Sequence, residues 1–351
     1  MELPTDRHMR RLLTHTVAHA VIDFSCFFVL FARFTPHVQP SQQIALGFLL
    51  YNLLAFGLQP LFGFVCDYFR GFPAAPAGCL VALIGVCLPQ EGAWVALVLC
   101  ALGNAWFHVG AGADTLLSSY GHMWHNGLFV SSGALGVAAG TLAGRSGLSV
   151  AVPILLLAAV LLAEWWLPTQ YGISLTRFWS YSGKVGLPAA FALLLCAVAI
   201  RGFAGAIVPM PWNTTAGHLL LAAGAAALGK LLGGVLADVF GARHTAVLAL
   251  LLSAPLLCFF HDQPALCAIG LVLFNIPMPV TLCVVADLLP FNPGLAFGLT
   301  TLGLLVGTVP VFLFPVDALP VELLLLLLTL CAALCLFVAT RNRRDAYHET
   351  V

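Results

Sequence analysis

The chain has 351 residues, 61% hydrophobic and only 8% charged, with 14 basic residues balancing 14 acidic ones. That leaves too little polar surface for a water-soluble globule, whose charged share is about 25%, and a neutral balance without a basic patch excludes nucleic-acid binding. The 11 Cys are scattered through apolar runs with no CxxC pair or zinc spacing, so a disulfide-stapled secreted fold is excluded and the chain reads as an integral membrane protein.

A helix crossing the hydrocarbon needs about 20 mostly apolar residues, and apolar runs between charged or Pro/Gly-rich breaks predict twelve spans. The first six are Thr14–Arg33, Ser41–Cys66, Pro73–Leu88, Ala93–Val109, Asn126–Ala143 and Ser149–Leu167; the third is short for a straight crossing. The second six are Gly186–Val208, Ala216–Ala237, His244–Phe260, Ala265–Ala286, Gly294–Phe314 and Val321–Thr340. The division is therefore an N-terminal six-helix half (1–167), a cytoplasmic linker (168–185), a C-terminal half (186–340) and a cytoplasmic tail (341–351). Gly110–Asn126, with Asp114, His122 and His125, reads as the longest early cytoplasmic loop, its histidines on the surface.

The charges test the count. With the N-terminus inside, Arg7, Arg10, Arg11, Arg70, Arg177, Lys184, Arg243, Arg341, Arg343 and Arg344 fall on the cytoplasmic side, and only Arg33 and Arg145 fall outside, beside Glu91, Asp262, Asp317 and Glu322. This positive-inside bias places both termini in the cytoplasm and the protein in the cell (inner) membrane. Arg10 and Arg11 before an apolar run containing Ala18-His19-Ala20 also fit a signal peptide. His15, His19 and Asp23 make a poor signal core, so the segment reads as a retained first span.

An internal repeat runs through the chain. Gly63…Asp67 at the end of the second span matches Gly234…Asp238 at the end of the eighth, 171 residues on. The same offset carries Gln59 onto Lys230 and Asn104 onto Asn275, while Asp114 and Asp287 lie 173 apart. A near-constant offset indicates two related six-span halves in the same orientation.

These motifs resemble the loop that follows spans two and eight in the major facilitator superfamily. The second copy, Gly234…Asp238-Val-Phe-Gly241-Ala-Arg243, is close to the superfamily pattern; in the first, Arg70 stands where a Gly is usual. Gly103-Asn-Ala-Trp-Phe-His108, Arg201-Gly-Phe-Ala-Gly and Leu289-Pro290…Gly298-Leu resemble spans four, seven and eleven of its fosmidomycin-resistance-type branch. Val109 replaces the usual Pro, and the usual fourth-span Arg is absent. The resemblance implies an all-α fold of twelve transmembrane helices in two pseudo-symmetric halves. It also implies that spans three, six, nine and twelve face lipid and that the others line a central pathway. The carboxylate and Arg of each loop motif can pin neighbouring helices by charge-assisted hydrogen bonds; a solvated turn that merely sets topology is the alternative.

A charge at mid-bilayer costs about 3 kcal/mol on insertion scales, so it needs a cavity or a partner. Asp23, Arg201 and Lys230 are such charges. The resemblance puts Asp23 and Arg201 across the central cavity from one another, as a pair that forms in one state or as a permanent structural pair. His15, His19 and Asp23, spaced i, i+4, i+8, share a helix face. That face suits proton relay through Asp23 with His19 nearby; His15 is expected at the headgroup level, and a bond from His19 to a neighbouring helix is the alternative for that residue. Metal ligation by the same face is the weakest reading, since no further cluster completes a site in the sequence, and no metal or cofactor is expected. Asn52, Gln59, Asn104, His108 and Asn275 complete the expected substrate and proton pathway, with Ser131, Ser132, Thr300 and Thr301 as weaker members.

The functional expectation is a monomeric, non-enzymatic secondary transporter that moves a small organic solute by alternating access. Proton-coupled efflux is what the branch implies. A facilitator or importer of a small anionic metabolite, favoured by Arg201 and Lys230, is the alternative, as is a non-transporting receptor on the same scaffold. No Walker sequence is present for direct ATP use.

Overall fold

The computed structural model describes residues 6–167, 186–314 and 320–340, with the side chains of Asp6 and Arg7 left aside. The predicted linker (168–185), the tail (341–351) and Asp317 lie outside the described residues. Among the described residues all regular structure is helical. Ten helices are long and apolar enough to cross a membrane: α1 (His8–His37), α2 (Ser41–Tyr68), α4 (Gln90–Ser118), α5 (Met123–Arg145), α7 (Leu187–Ile207), α8 (Ala216–Phe240), α9 (Ala242–Phe259), α10 (Pro264–Leu288), α11 (Pro293–Leu313) and α12 (Val321–Ala339). Two shorter apolar helices, α3 (Ala74–Cys87) and α6 (Ala151–Trp165), stand at the positions of the third and sixth spans.

Three of the long helices are interrupted, each beside proline. In α1 a π-helical turn at Leu30–Phe34 precedes Pro36. α2 breaks at Leu58 before Pro60, and α10 at Ile276 before Pro277, because a proline ring offers no N–H and crowds the preceding turn. Arg33 closes the far end of α1 by donating to the carbonyls of Val86 (2.7 Å) and Leu88, which are unpaired at the C-terminal end of α3.

Glycine faces let the helices approach closely. A Cβ on Gly136 or Gly140 of α5 would lie 2.3 Å from the Ala20 carbonyl oxygen or 2.2 Å from that of Phe24, so α1 and α5 meet backbone to backbone. On α8, Gly233 sits under the break in α10, where a Cβ would come within 2.0 Å of the Ile276 oxygen. The opposite kind of surface appears on α12, where Leu323, Leu327, Leu330 and Leu334 form one exposed apolar stripe suited to lipid.

The loop expected at Gly110–Asn126 is corrected. α4 continues to Ser118 and only the turn 119–122 separates it from α5. The Gly110 and Gly112 signals mark close packing rather than chain reversal: a Cβ would lie 2.5 Å from the Ala75 nitrogen or 2.4 Å from the Phe297 ring. Asp114 is therefore a buried helical residue, and His125, expected on the surface, is buried at the start of α5.

Candidate functional site

The two repeated motifs form one device. Asp67, at the end of α2, accepts from the backbone N–H groups of Gly294 (2.9 Å) and Leu295 (2.8 Å) at the start of α11. Asp238, at the end of α8, accepts from those of Met123 (2.8 Å) and Trp124 (3.0 Å) at the start of α5. Each half's carboxylate thus caps a helix N-terminus of the other half, where unpaired N–H groups and the helix dipole favour an anion. The glycine one turn earlier makes the approach possible: a Cβ on Gly63 would lie 2.2 Å from the Gly294 oxygen, and one on Gly234 2.6 Å from the Met123 oxygen. Gly241 supplies the positive φ of 83° in the turn from α8 to α9. Arg70 is exposed within electrostatic reach of Asp67, and the Arg243 guanidinium sits 4.0 Å from the centre of the Phe337 ring on α12.

At mid-depth, α1 and α4 bring four predicted residues together. Asp23 accepts from Asn104 Nδ2 at 2.7 Å, and its other oxygen lies 3.3 Å from His19 Nε2. His19 Nε2 and His108 Nε2 face each other at 2.8 Å. His19 Nδ1 is 2.8 Å from the Phe129 carbonyl oxygen and His108 Nδ1 is 2.8 Å from that of Asn104. A carbonyl only accepts, so each Nδ1 carries its hydrogen, and both Nε2 atoms then turn toward each other and toward Asp23. Two facing lone pairs repel, so this contact needs a cation between them, and one shared proton meets the requirement with Asp23 as counter-ion. Gly133 leaves room for it, since a Cβ there would lie 2.5 Å from His19 Nε2. Lys230, half-buried in the middle of α8, is within electrostatic reach of both Asp23 and Arg201.

Arg201 belongs to a different wall. It does not meet Asp23 but donates to the Phe274 carbonyl (3.3 Å) and Thr281 (3.4 Å), beside the α10 break, and its guanidinium lies 5.7 Å from the centre of the Phe274 ring. The two bonds are long, and its Nε is buried without a partner. Arg201 lines a cavity of about 430 Å³ with Asn52, Asn275, Phe274 and Met278 that reaches Met210 beyond the end of α7. Asn52 and Asn275 turn their amides back onto the Phe48 and Leu271 carbonyls at 2.7 and 2.8 Å.

Other expectations change. Gln59 is wholly buried at the α2 break, bonded to the Ala55 carbonyl and packed against Gly298, and does not line the cavity. Ser131, Ser132, Thr300 and Thr301 bond their own helix backbone. His15 is not at a headgroup level: its Nδ1 lies 2.9 Å from Glu164 and its Nε2 2.7 Å from Asp114, which also accepts from Arg11 at 2.7 Å. This buried quartet joins α1, α4 and α6 and was not singled out from sequence. The signal was available in Arg11 and His15, which extend the i, i+4 face of His19 and Asp23 by one turn each.

No protein-family profile and no curated protein matches the chain by sequence. Its fold is similar to that of solved transporters. A variant of the E. coli fucose:proton symporter FucP superposes with a TM-score of 0.70 at 14% identity, covering 95% of this chain and 98% of that one. FucP in the outward conformation, described as a Major Facilitator Superfamily transporter, gives 0.60 at 13% identity over 93% and 99%. The chain therefore has the major facilitator fold.

Proposed function

We propose that this chain is a secondary transporter of the inner membrane that moves a small anionic organic solute by alternating access, coupled to protons at the His19–His108–Asp23 cluster. The observation that carries this reading is the placing of the two carboxylate caps. They hold the halves together at one end of the helices, while the cavity and the buried charged cluster lie beyond them toward the other. Breaking the caps would release that end, which is the motion alternating access requires. Arg201 lines the cavity with no ion-pair partner within 4.0 Å among the described residues and supplies positive charge for an anion there, with Lys230 on α8 within electrostatic reach of it. The shared-proton geometry supplies the coupling ion, and the positive-inside bias of the sequence supports a cytoplasmic position for the capped end.

Efflux is the direction implied by the likeness to the fosmidomycin-resistance-type branch. Symport is the second reading, and the fold's similarity to a fucose:proton symporter favours it. Purified protein in proteoliposomes carrying a luminal pH dye separates them. Fosmidomycin, fucose and a panel of small carboxylates are offered with the pH gradient in each direction. Solute movement against its gradient with opposite proton flow supports efflux by exchange, and flow in the same direction supports symport. Absence of solute-dependent proton movement across the whole panel overturns the proton-coupled reading.

A further inference from the structure

The same facing nitrogens have a second chemical solution besides a proton. Three donor sets converge inside the protein: His19 Nε2, His108 Nε2 and the Asp23 carboxylate, all within 4.8 Å of one another and all buried. The nitrogens are 2.8 Å apart, and Asp23 presents oxygens 3.3 Å from His19 and 3.7 Å from His108. Donors on one ion with bonds of about 2.1 Å are separated by roughly 3.0 Å in octahedral and 3.4 Å in tetrahedral geometry. The observed separations bracket both, so an ion can enter with shifts of a few tenths of an ångström.

The surroundings are those of metal ligands. Each histidine holds its distal Nδ1–H on a backbone carbonyl, of Phe129 and of Asn104, which fixes the tautomer and aims Nε2 inward. Asp23 is in turn oriented by the Asn104 amide. Such outer hydrogen bonds are what set the ring orientation and basicity of ligating histidines. Three elements contribute: α1 and α4 give the donors, and α5 gives the carbonyl of Phe129 and the space beside Gly133.

We infer that His19, Asp23 and His108 form a binding site for one divalent first-row transition-metal ion, which enters in place of the proton shared by the two imidazoles. The two-imidazole, one-carboxylate set suits ions such as Co²⁺, Ni²⁺, Mn²⁺, Fe²⁺ or Zn²⁺; Ca²⁺ and Mg²⁺ prefer all-oxygen shells. Binding releases the shared proton to solvent, so charge rises by one unit at the site. Lys230 opposes that rise.

The test is a Co²⁺ titration of the full-length, untagged protein in metal-free detergent buffer. It is followed by calorimetry and by the visible absorption of the ion. One Co²⁺ per chain is expected, with an absorption displaced from that of the hydrated ion. His19→Ala, His108→Ala and Asp23→Asn each weaken binding by a hundredfold or more on the order expected for lost ligands and outer partners. Lys230→Met tightens it by roughly fivefold through lost repulsion, a gain that misfolding cannot produce. The exposed His244→Ala leaves it unchanged. Weak binding that His244→Ala reduces as much as His108→Ala does, or a Co²⁺ spectrum identical to the hydrated ion, overturns the site. Proton-coupled flux measured in the same metal-free buffer stands or falls separately.

Discussion

His19 and His108 point their Nε2 atoms at each other across 2.8 Å while each gives its Nδ1 hydrogen to a main-chain carbonyl. One proton between them satisfies both rings; none leaves two lone pairs in opposition, and two places adjacent imidazolium charges beside a single carboxylate. Replacing either ring with Gln removes this one-proton geometry. His19→Gln and His108→Gln are each expected to lower solute-driven proton flux at least tenfold, with solute binding retained. Binding measured beside flux in the same preparation checks it, and coupling at the wild-type rate would contradict the assignment.

Asp67 and Asp238 make a sharper prediction because they are equivalent by the repeat but act on different helices. Each accepts two main-chain N–H bonds at a helix start, and a hydrogen bond to a charged group contributes about 1.5–3 kcal/mol. Losing about 2 kcal/mol shifts the balance between closed and open states roughly thirtyfold. Asp67→Ala and Asp238→Ala should each lengthen the distance between spin labels placed at the capped ends of α5 and α8, and the double variant should do so further. An unchanged distance distribution in the double variant would show that the caps do not hold the halves.

Gly63→Ala should act in the same direction by a steric route. Its Cβ would meet the Gly294 main chain, which belongs to the other half, so separation of the ends relieves the clash. Gly140→Ala meets the main chain of Phe24 within the same half, where no such motion helps. The expected result is a shifted conformational balance with near-normal melting for the first and a loss of about 1–3 kcal/mol of stability for the second. Spin-label distances and thermal melting of the two variants side by side decide it.

Much of this is legible in the sequence alone. Apolar run lengths mark the positions of the twelve apolar helices found among the described residues, and the repeat marks the two loop carboxylates as equivalent. The spacing of His19 to Asp23 and of Asn104 to His108 put each pair on one helix face. What single-chain patterns do not carry is the rotation of one helix against another. That rotation decides that His108 completes the group of His19 and Asp23, that Arg201 turns instead to the α10 break, and that Gln59 packs rather than lines. The Gly110–Asn126 stretch misled for a related reason. In water its glycines would signal a turn, but within a membrane bundle they allow backbone contact, and Asp114 followed them into the interior.

The Arg11–His15–Asp114–Glu164 quartet is expected to be structural. Two carboxylates face an arginine and an imidazole whose nitrogens both meet carboxylate oxygens, so charge is balanced within the group when the ring is protonated. Breaking a buried pair by removing one partner costs about 3–5 kcal/mol. Asp114→Asn should therefore lower the melting temperature in detergent, and Glu164→Gln should do so less, because it loses one partner rather than two. Transport per folded molecule should stay within about twofold of wild type and keep its pH profile, since the quartet lies outside the cavity and the cluster. A change in coupling stoichiometry without loss of stability would instead place His15 on the proton route, continuing the helix face of His19 and Asp23.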